Sequence, residues 1–451
     1  MASEFINIEE LYEKFVQFPF VCTDTRKIVP NSLFFCLKGE NFDGNLFITE
    51  ALEKGAQYVI AEGRREKGER RKEEYPLQFL KECPKGGVVN TEHIIIVDDV
   101  LKTLQQLAAH HRTHLKIPII GITGSNGKTT TKELIAAVLS KKYKTAYTQG
   151  NLNNHIGVPL TLLSIKKEDE VAIIEMGANH LGEIAELCQI AQPDYGLITN
   201  IGKAHLEGFG SVENIIETKT ALYRAARKVF VNEGDEVLRH ESTKTRKHEK
   251  SIIFYGKNTD VDGQIVEMNP YLVMELFGKK IQTHLTGNYN LSNILGAAAV
   301  GRYFGVAEQD ICDAIAEYAP LNHRSQIIKS GTNTIIADYY NANPTSMKAA
   351  LDNFLQIDVP LKLAILGDML ELGENSLSEH QAIIDLCELN KLGTIFIGSI
   401  FHTLKNNRSK FFTTAEDCND YLIYSGFYEN TLILLKGSRG IHLENVRLKK
   451  A

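Results

Sequence analysis

The sequence predicts an α/β protein of three domains: a small α/β domain, a central domain whose parallel sheet carries an antiparallel addition, and a C-terminal doubly wound domain. Three observations predict this arrangement. The chain has 451 residues, and roughly 150 residues per domain is usual. Apolar runs of strand length alternate with helical patterns, which is typical of parallel sheets. A linker at residues 319–322 separates the last two alternating regions.

The first predicted domain covers residues 1–98. Apolar runs at residues 32–37, 58–61 and 94–97 alternate with glycine-rich turns, which indicates a small α/β unit. Residues 62–75 are almost wholly charged, with both signs mixed. Because such a segment cannot bury enough apolar surface to order itself, we expect a solvated loop there.

The second predicted domain covers residues 99–319. An amphipathic helix over residues 98–114 leads into a strand at residues 117–122. Residues 259–286 combine Gly and Asn-Pro turns with β-rich runs, which indicates an antiparallel addition. The other strands of a parallel sheet are expected at residues 171–175, 195–199 and 228–231.

The third predicted domain covers residues 320–451, where strand and helix patterns alternate from residue 334 onward. This alternation indicates a doubly wound, Rossmann-like domain, and we expect the linker at residues 319–322 to act as a hinge. Strands are predicted at residues 335–338, 363–366, 394–397 and 432–435, with helices at 346–355 and 378–389.

Charge and cysteine usage narrow the classes of partner. The formal net charge is -6, from 50 basic and 56 acidic residues, so no global field favours nucleic acid or an anionic membrane. No apolar run approaches the length of a bilayer span, and we expect a cytoplasmic protein. The seven cysteines form no C-x-x-C pair, which indicates reduced thiols rather than disulfides or zinc ligands.

Residues 118–133 carry the clearest chemical signal, a short apolar run followed by three spaced glycines and a helical sequence. Gly121, Gly124 and Gly127 permit backbone angles closed to other residues, so N–H groups can turn toward an anion at the helix N-terminus. The segment predicts a P-loop-type triphosphate site, with Lys128 on the terminal phosphates and the Thr129 hydroxyl on Mg2+. The alternative is a glycine-rich turn between a strand and a helix.

Glu175 and His205, together with Thr129, are candidate Mg2+ ligands, and Lys219 is a candidate active-site group near the phosphates. Glu175 ends a predicted buried strand, and parallel sheets bind ligands beyond the carboxyl ends of their strands. His205 follows the next strand by a few residues, and Lys219 falls on the apolar stripe of a predicted helix. The alternatives are a helix-capping glutamate, a loop histidine and a lysine whose stem snorkels along the surface.

Two segments are rich in side-chain amides. Residues 150–159 suit hydrogen bonding to a polar ligand. Asn290 and Asn293 lie three apart on a predicted helix, where purine recognition and capping by Asn288 or Asn290 are both open.

Four polar segments of the last third are expected to gather at one edge of the C-terminal sheet. If that edge faces the phosphate loop, Arg324 can meet the developing phosphate charge as a planar, permanently charged fork. The segments are residues 322–326, 338–344, 366–373 and 436–440.

Together these residues resemble the Mur ligase family, ATP-dependent amide-forming enzymes of bacterial cell-wall synthesis, over essentially the whole chain. The resemblance implies ATP and Mg2+ as cofactors, with Lys128, His205, Lys219 and Arg324 as catalytic residues. It implies Thr129, Glu175, His205 and a carbamylated Lys219 as metal ligands. The implied ATP contacts are Thr123, Gly124, Ser125, Asn126, Gly127, Lys128, Thr129, Thr130, Asn290, Asn293, Arg324 and Asp338.

Residues 150–154, 340–344 and 366–373 resemble the branch of this family that adds D-alanyl-D-alanine to UDP-MurNAc-tripeptide, and we expect a monomer. Residues 24–26 and 39–44 resemble the segments that hold the UDP-sugar end. Two positions depart from the family pattern: Ala221 replaces a common acidic residue, and Ala337 precedes Asp338 in place of a second aspartate. The implied substrate contacts are Asp24, Thr25, Arg26, Asp43, Gly44, Asn151, Asn153, Asn154, Tyr340 and Asn341.

The resemblance implies that ATP converts the terminal carboxylate of the tripeptide to an acyl phosphate, which the amine of the dipeptide then attacks. Two alternatives are enzymes: a sister ligase that adds diaminopimelate or lysine, and a folylpolyglutamate synthase. A third is an ATP-gated binding module that forms no bond. The amide-rich segments argue against the first two, and the inward Lys219 with Glu175 and His205 argues against the third.

Overall fold

The computed structural model describes residues 6–40, 42–63, 91–245, 251–425 and 428–448, which form an α/β structure with five sheets. Two compact units divide this part of the chain. The first comes from residues 1–121, 144–177 and 184–194, and the second from residues 122–143, 178–183 and 195–451. The predicted domain limits, 1–98, 99–319 and 320–451, stay a prediction.

The strands, numbered in chain order, are β1 (Phe20–Cys22), β2 (Ser32–Phe35), β3 (Lys38–Gly39), β4 (Phe42–Asp43), β5 (Ala56–Glu62), β6 (Ile94–Val97), β7 (Ile119–Thr123), β8 (Thr145–Tyr147), β9 (Val171–Glu175), β10 (Tyr195–Ile198), β11 (Lys228–Asn232), β12 (Ser251–Tyr255), β13 (Gly263–Met268), β14 (Leu272–Leu276), β15 (Lys279–Gln282), β16 (Gln326–Ser330), β17 (Asn333–Asp338), β18 (Lys362–Gly367), β19 (Thr394–Ile397), β20 (Lys410–Phe412) and β21 (Leu432–Lys436).

The α-helices span Ile8–Gln17, Ile48–Glu53, Val100–His114, Lys128–Ser140, Gly157–Leu163, Glu183–Ala191, Leu206–Phe209, Val212–Ala225, Glu236–Thr245, Asn290–Tyr303, Glu308–Glu317, Pro344–Gln356, Ser376–Leu389, Ser399–Thr403 and Ala415–Ser425. Within the described residues, no helix combines the length and the apolar character needed to cross a membrane.

The first unit contains a parallel four-stranded sheet of order β1-β2-β5-β6 and an antiparallel pair, β3 with β4. The three strands predicted here are confirmed as β2, β5 and β6. One face of the sheet packs on Ile48 and Ala51 of the helix Ile48–Glu53 through Phe34 and Val59. Of the predicted charged loop, Glu62 is the last residue of β5, while residues 64–75 lie outside the described residues.

The helix Val100–His114 begins two residues later than predicted because Asp99 caps it, its carboxylate accepting the N–H of Lys102 (2.8 Å). Val100, Leu104 and Leu107 are buried at spacings of four and three residues, which is the stripe expected of an amphipathic helix. Arg112 lies in its last turn, where positive charge suits the helix dipole.

A six-stranded sheet of order β12-β11-β10-β7-β9-β8 carries the phosphate-loop segment, and β7 contributes residues to both units. The pairs β8 with β9, β10 with β11 and β11 with β12 are parallel. The predicted strands at residues 171–175, 195–199 and 228–231 are confirmed as β9, β10 and β11. The predicted antiparallel addition is confirmed as the sheet β13-β14-β15.

The last sheet has the order β16-β17-β21-β18-β19-β20, and all its pairs are parallel except β16 with β17. All four predicted strands are present, and the two predicted helices extend to Pro344–Gln356 and Ser376–Leu389. The prediction missed β16 and the three-residue β20, because such short segments show little periodicity. The register sets Asp338, Lys436 and Leu366 level at the carboxyl edge of three adjacent strands.

His111 gives the first unit a pH-dependent stability. Its Nδ1 lies 3.2 Å from the Tyr12 hydroxyl, and its ring lies 5.0 Å from that of Phe15. Burial, more than the neighbouring histidines, lowers the pKa of His111 to about 4. His111 therefore binds a proton near pH 6.5 in the unfolded chain but only near pH 4 in the folded chain. Between these two pH values, the free energy of unfolding decreases as the pH is lowered.

We predict that His111→Gln loses less stability between pH 7 and pH 5 than the unsubstituted protein, by about 1 kcal/mol after allowance for partial exposure. Denaturant unfolding at the two pH values measures this. His155→Gln, at an exposed position, is the matched control. An identical pH dependence in His111→Gln and the unsubstituted protein would contradict this role of His111.

Candidate active site

The phosphate loop runs from the end of β7 into the helix Lys128–Ser140, and two of its glycines are required by space and by backbone angle. Gly127 is the N-cap of the helix with a φ of 78°, and Gly124 has a φ of 149°. An added Cβ would lie 1.9 Å from Thr199 Oγ1 at Gly124 and 2.6 Å from Asn293 Oδ1 at Gly127. Other side chains therefore fit at neither position.

The loop is held in place by residues that directly follow the neighbouring strand β10. Asn200 accepts the Ser125 N–H through its carbonyl (3.0 Å) and the Asn126 N–H through Oδ1 (3.1 Å). Its Nδ2 donates to the Asn126 carbonyl (2.9 Å), as does Thr199 Oγ1 (2.6 Å). The Ser125 hydroxyl donates to the Gly202 carbonyl (2.9 Å).

These contacts refine the expectation that successive loop N–H groups turn toward an anion. The N–H groups of Ser125 and Asn126 bind Asn200 instead. The amides that helix geometry directs at an anion are those of the first helical turn, at Lys128, Thr129 and Thr130. The loop is thus preorganised by its neighbour, and the contact of the helix N-terminus with phosphates stays a prediction.

Lys128 folds back across the loop. Its Nζ donates to the carbonyls of Gly124 (2.8 Å) and Ser125 (3.3 Å). The ammonium group of Lys128 therefore lies at the loop itself. A bound phosphate would compete with the two loop carbonyls for this ammonium group. Its contact with the terminal phosphates stays a prediction.

Asn290 and Asn293 are buried in the helix Asn290–Tyr303, whose N-cap is Tyr289 with no side-chain cap. Asn290 Nδ2 donates to the Thr286 carbonyl (2.7 Å), and Asn293 Nδ2 donates to Asn290 Oδ1 (2.8 Å). The Thr131 hydroxyl donates to Asn293 Oδ1 (3.1 Å). The capping alternative is therefore not what the structure shows: these amides brace the phosphate-loop helix. Their contact with adenine stays a prediction.

Lys219 lies on the helix Val212–Ala225 and is buried, with 1% of its surface exposed. Its inward position, predicted from the apolar stripe, is confirmed, and its Nζ lies 5.7 Å from the centre of the Phe209 ring. Burial, and then the positive charge of Lys128, lower the pKa of Lys219 well below its ordinary value, although Glu183 acts in the opposite direction. A lowered pKa favours the uncharged amine, which is the nucleophilic form of a lysine.

Glu175 ends β9 as predicted and is buried in the first unit. Asn153 Nδ2 donates to its Oε1 (2.8 Å), and its own N–H donates to Thr148 Oγ1 (2.9 Å). The structure therefore brings together two predicted site residues, Glu175 and Asn153. Asn154 instead accepts the N–H groups of Ile156 and Gly157 at the start of the helix Gly157–Leu163, and Asn151 is exposed.

His205 lies in a left-handed conformation, with a φ of 52°, just before the short helix Leu206–Phe209. Its Nδ1 contacts a carboxylate oxygen of Glu371, and this hydrogen bond is the main cause that lowers the pKa of Glu371. Lys203 pairs with Glu379 (3.0 Å) in the same region. The segment around His205 is thus tied to residues 371–379, a partnership that sequence reasoning missed.

The predicted magnesium ligands are divided between the two units. Glu175 belongs to the first unit, whereas Thr129, His205 and Lys219 belong to the second. Among the described residues, no three His, Cys, Asp or Glu side chains gather in a ready metal-binding group. The ligand set of Thr129, Glu175, His205 and Lys219 stays a prediction.

At the carboxyl edge of the last sheet, two guanidinium groups lie against the Tyr340 ring. The Arg324 guanidinium lies 3.8 Å from the centre of the Tyr340 ring, and the Arg439 guanidinium lies 5.5 Å from it. Asp338 accepts the Ser325 N–H (3.1 Å) and pairs with Lys436 (2.6 Å). Arg439 was not among the predicted site residues, although its segment was marked as polar.

Asn343 connects the last polar segment to the phosphate loop. Its Nδ2 donates to Asn126 Oδ1 (2.8 Å), while its Oδ1 caps the helix Pro344–Gln356 by accepting the Ser346 N–H (2.8 Å). Asn341, next to Tyr340, accepts the Ala342 N–H (2.9 Å) and is exposed. The segment of residues 338–344 therefore contacts the phosphate loop at Asn343.

The residues predicted to hold a UDP-sugar lie in two turns of the first unit. Asp24 caps the turn Thr25–Lys27 and forms two hydrogen bonds with the Arg26 guanidinium (2.9 and 2.8 Å). These bonds are the main cause that lowers the pKa of Asp24 to about 2. Asp43 accepts both the backbone and side-chain N–H groups of Asn45. Their ligand contacts stay a prediction.

Gly44 shows a close backbone approach in the same part of the unit. An added Cβ would lie 2.6 Å from the Cys36 carbonyl carbon and from the Leu37 carbonyl oxygen. The Gly44 N–H donates to the Leu37 carbonyl (2.9 Å). Only glycine therefore fits in this turn, which follows β4 directly.

Three family models match successive parts of the chain. They are described as Mur ligase family, catalytic domain (residues 17–112), Mur ligase middle domain (residues 122–301) and Mur ligase, glutamate ligase domain (residues 323–439). A curated relative from Bacillus subtilis, named UDP-N-acetylmuramoyl-tripeptide--D-alanyl-D-alanine ligase, is 34% identical over 448 residues, covering 94% of this chain and 92% of the relative.

Two solved structures have a similar fold. A crystal structure of MurF from Acinetobacter baumannii has a TM-score of 0.81 at 31% identity, covering 94% of this chain and 92% of its own. The MurF ligase from Thermotoga maritima in complex with ADP has a TM-score of 0.77 at 27% identity, covering 95% and 96%. These similarities confirm the predicted three-domain α/β fold.

The bond between Asn126 and Asn343 leads to a prediction about nucleotide binding. We predict that Asn343→Ser weakens ADP binding about fivefold, because one hydrogen bond that steadies the phosphate loop, worth about 1 kcal/mol, is lost. Serine is itself a good N-cap, so the unfolding midpoint should change little. Calorimetric titration with ADP measures the affinity.

The matched control is Asn375→Ser, since Asn375 is exposed and precedes the next helix without a side-chain cap. This variant should bind ADP like the unsubstituted protein. Equal ADP affinity in Asn343→Ser would show that the bond to Asn126 does not steady the nucleotide site.

Proposed function

This chain belongs to the Mur ligase family of ATP-dependent ligases, and we propose that it joins D-alanyl-D-alanine to UDP-N-acetylmuramoyl-tripeptide, releasing ADP and phosphate. The observation that carries the proposal is the hydrogen bond from Asn343 to Asn126 (2.8 Å). Asn343 belongs to the segment that resembles the D-alanyl-D-alanine-adding branch, and Asn126 belongs to the phosphate loop. The dipeptide and the triphosphate would therefore be handled in one place.

The chemistry begins with a carboxylate oxygen of the tripeptide attacking the γ-phosphorus of ATP, while the bond from that phosphorus to the ADP oxygen breaks. The amine of the dipeptide then attacks the carbonyl carbon of the acyl phosphate. The tetrahedral intermediate expels phosphate, which retains one oxygen of the former carboxylate, and the amine nitrogen loses its proton. Charge on the transferred phosphoryl group is the main quantity for the protein to stabilise.

Lys128 and Arg324 are suited to that stabilisation. Lys128 is stationed on the loop carbonyls of Gly124 and Ser125, and Arg324 is a permanent cation stacked on Tyr340. Preorganised positive groups act strongly where water is excluded, because they need no rearrangement as charge develops. We assign Lys128 to the terminal phosphates and Arg324 to the transferred phosphoryl group.

The donor chemistry of the predicted metal ligands fits Mg2+. The Thr129 hydroxyl and the Glu175 carboxylate are oxygen donors, which this ion prefers, and a carbamate on Lys219 would offer further oxygens. His205 is the one nitrogen donor of the set. Bound there, Mg2+ would neutralise charge on the phosphates and orient them for transfer.

We propose that Lys219 is carbamylated, which its burial and the neighbouring charge of Lys128 support. The uncharged amine attacks carbon dioxide, forms an N–C bond and releases a proton, which turns a cation into an anion. The positive charge of Lys128, which disfavours the ammonium form of Lys219, favours the carbamate. The same neighbour therefore acts against the unmodified lysine and for the modified one.

The remaining assignments follow the family resemblance. We propose that the turns at Asp24, Thr25 and Arg26 and at Asp43 and Gly44 hold the UDP-sugar end of the tripeptide nucleotide. We also propose that Asn290 and Asn293 lie on the adenine side, and that the protein is a cytoplasmic monomer. The six cysteines of the described residues are free, and we expect them to be reduced.

An omission experiment tests the proposed function. Release of ADP is measured with ATP, the tripeptide nucleotide and the dipeptide together, and with each left out in turn. We expect sustained release only when all three are present, for the tripeptide ending in diaminopimelate, in lysine or in both. Release of ADP that requires free lysine or diaminopimelate together with the nucleotide precursor that carries only two peptide residues would indicate a sister ligase. That result would contradict the proposal.

We predict that Lys219→Ala abolishes amide formation and that added bicarbonate does not restore it, because the residue that captures carbon dioxide is gone. A small carboxylate such as acetate is expected to restore a fraction by entering the vacated space. Lys244→Ala, at an exposed lysine paired with Glu241, should retain full activity. Full activity in Lys219→Ala would refute the carbamate role.

A further inference from the structure

The loops at the carboxyl edge of β17, β21 and β18 form the part of the second unit that is best suited to hold the dipeptide. These three strands are adjacent in the sheet, and the register sets their ends level at Asp338, Lys436 and Leu366. Ligands of parallel sheets bind beyond this edge. The following loops therefore present their side chains to one place.

The loop after β21 is rigid. A Cβ added at Gly437 would lie 2.8 Å from the Cα of Gly367, so the two loops are in backbone contact. The Ser438 N–H donates to the Asp368 carbonyl (3.0 Å), and the Leu370 N–H donates to Ser438 Oγ (2.9 Å). Arg439 is exposed and directly follows Ser438, which these hydrogen bonds hold in place.

The charges at this edge are not equivalent. Lys436 is buried and neutralised by Asp338 at 2.6 Å. Across the described residues, neither Arg324 nor Arg439 has a carboxylate within ion-pair distance, and both guanidinium groups lie against Tyr340. Glu444, the nearby acid in sequence, contacts His442 (3.2 Å). Burial acts to raise the pKa of Glu444, but its hydrogen bonds and then the charges of His442 and Arg439 lower it, so Arg439 acts on this carboxylate from beyond ion-pair distance. Two cations on one aromatic ring are therefore available to anionic ligands.

The two arginines differ in exposure, which separates their roles. The Nε of Arg324 is buried without an acceptor in the described part of the chain, and a transferred phosphoryl oxygen would satisfy it. Arg439 faces solvent at the rim. The incoming dipeptide carries its own anion, a terminal carboxylate, which must be held while the amine at the other end reaches the acyl phosphate.

We propose that Arg439 binds the terminal carboxylate of the D-alanyl-D-alanine substrate and thereby sets the requirement for a free acid at that end. The inference rests on the proposed function. A guanidinium matches a carboxylate with two parallel hydrogen bonds, which fixes orientation as well as position. The Arg439 guanidinium lies against the Tyr340 ring, and the loop that contains Gly437 and Ser438 positions Arg439 at the carboxyl edge of the sheet.

The test compares the dipeptide with its C-terminal amide, at saturating ATP and tripeptide nucleotide. We expect the unsubstituted enzyme to prefer the acid. In Arg439→Met, kcat/KM for the acid should fall about 30-fold, because a charge-assisted bidentate contact is lost. The value for the amide should stay within about twofold, since an amide makes no such contact, and the KM for ATP should not change.

Two further variants sharpen the comparison. Arg439→Lys keeps the charge but not the fork, and should retain part of the preference for the acid. Arg408→Met, at an exposed arginine that pairs with Glu388 in the same domain, should behave like the unsubstituted enzyme.

An unchanged preference for the acid in Arg439→Met would overturn the assignment, as would an equal loss of activity with acid and amide. These outcomes leave the proposed function standing, because the unsubstituted enzyme still forms the product. Absence of dipeptide-dependent ADP release in the unsubstituted enzyme would instead overturn the proposed function, and this inference with it.

Discussion

The structure depends on the hydrogen bonding of one short loop. Residues 124–127 must turn sharply between a strand and a helix, and their backbone groups need partners in a buried setting. Asn200 supplies three of those partners, Thr199 a fourth, and Asn343 binds the side chain of Asn126. Two segments far apart in sequence, residues 199–200 and residue 343, therefore converge on this four-residue loop. The helix N-terminus that follows is held ready for phosphate before any ligand arrives.

The same region shows how the protein distinguishes positive charges that are structural from those that can act on a ligand. Lys436 is paired with Asp338 inside the sheet edge, whereas Arg324 and Arg439 lie on an aromatic ring. The positive charge of Lys128 is, after burial, a cause that lowers the pKa of Lys219. Under the proposed carbamylation, Lys219 would become an anion and this repulsion would become an attraction.

Much of this could be predicted from sequence because the signals are local. The strands β9, β10 and β11, the glycines of the phosphate loop and the inward position of Lys219 each follow from spacing within one element. What sequence reasoning missed depends on distant contacts: the bonds of Asn200 to the loop, the pairing of His205 with Glu371, and Arg439 beside Tyr340. Asn290 and Asn293 show the limit most clearly, since the same spacing fits a cap, a purine contact or the internal brace that is observed.

The central claim is that the triphosphate held by this loop activates a carboxyl group of the substrate. Labelling both oxygens of the tripeptide's terminal carboxyl group with oxygen-18 tests it directly, with mass analysis of the phosphate released in the presence of ATP and D-alanyl-D-alanine. The account predicts one labelled oxygen in each phosphate formed, because the carboxylate oxygen that attacks phosphorus leaves with it. Unlabelled phosphate accompanied by amide product would contradict activation through an acyl phosphate.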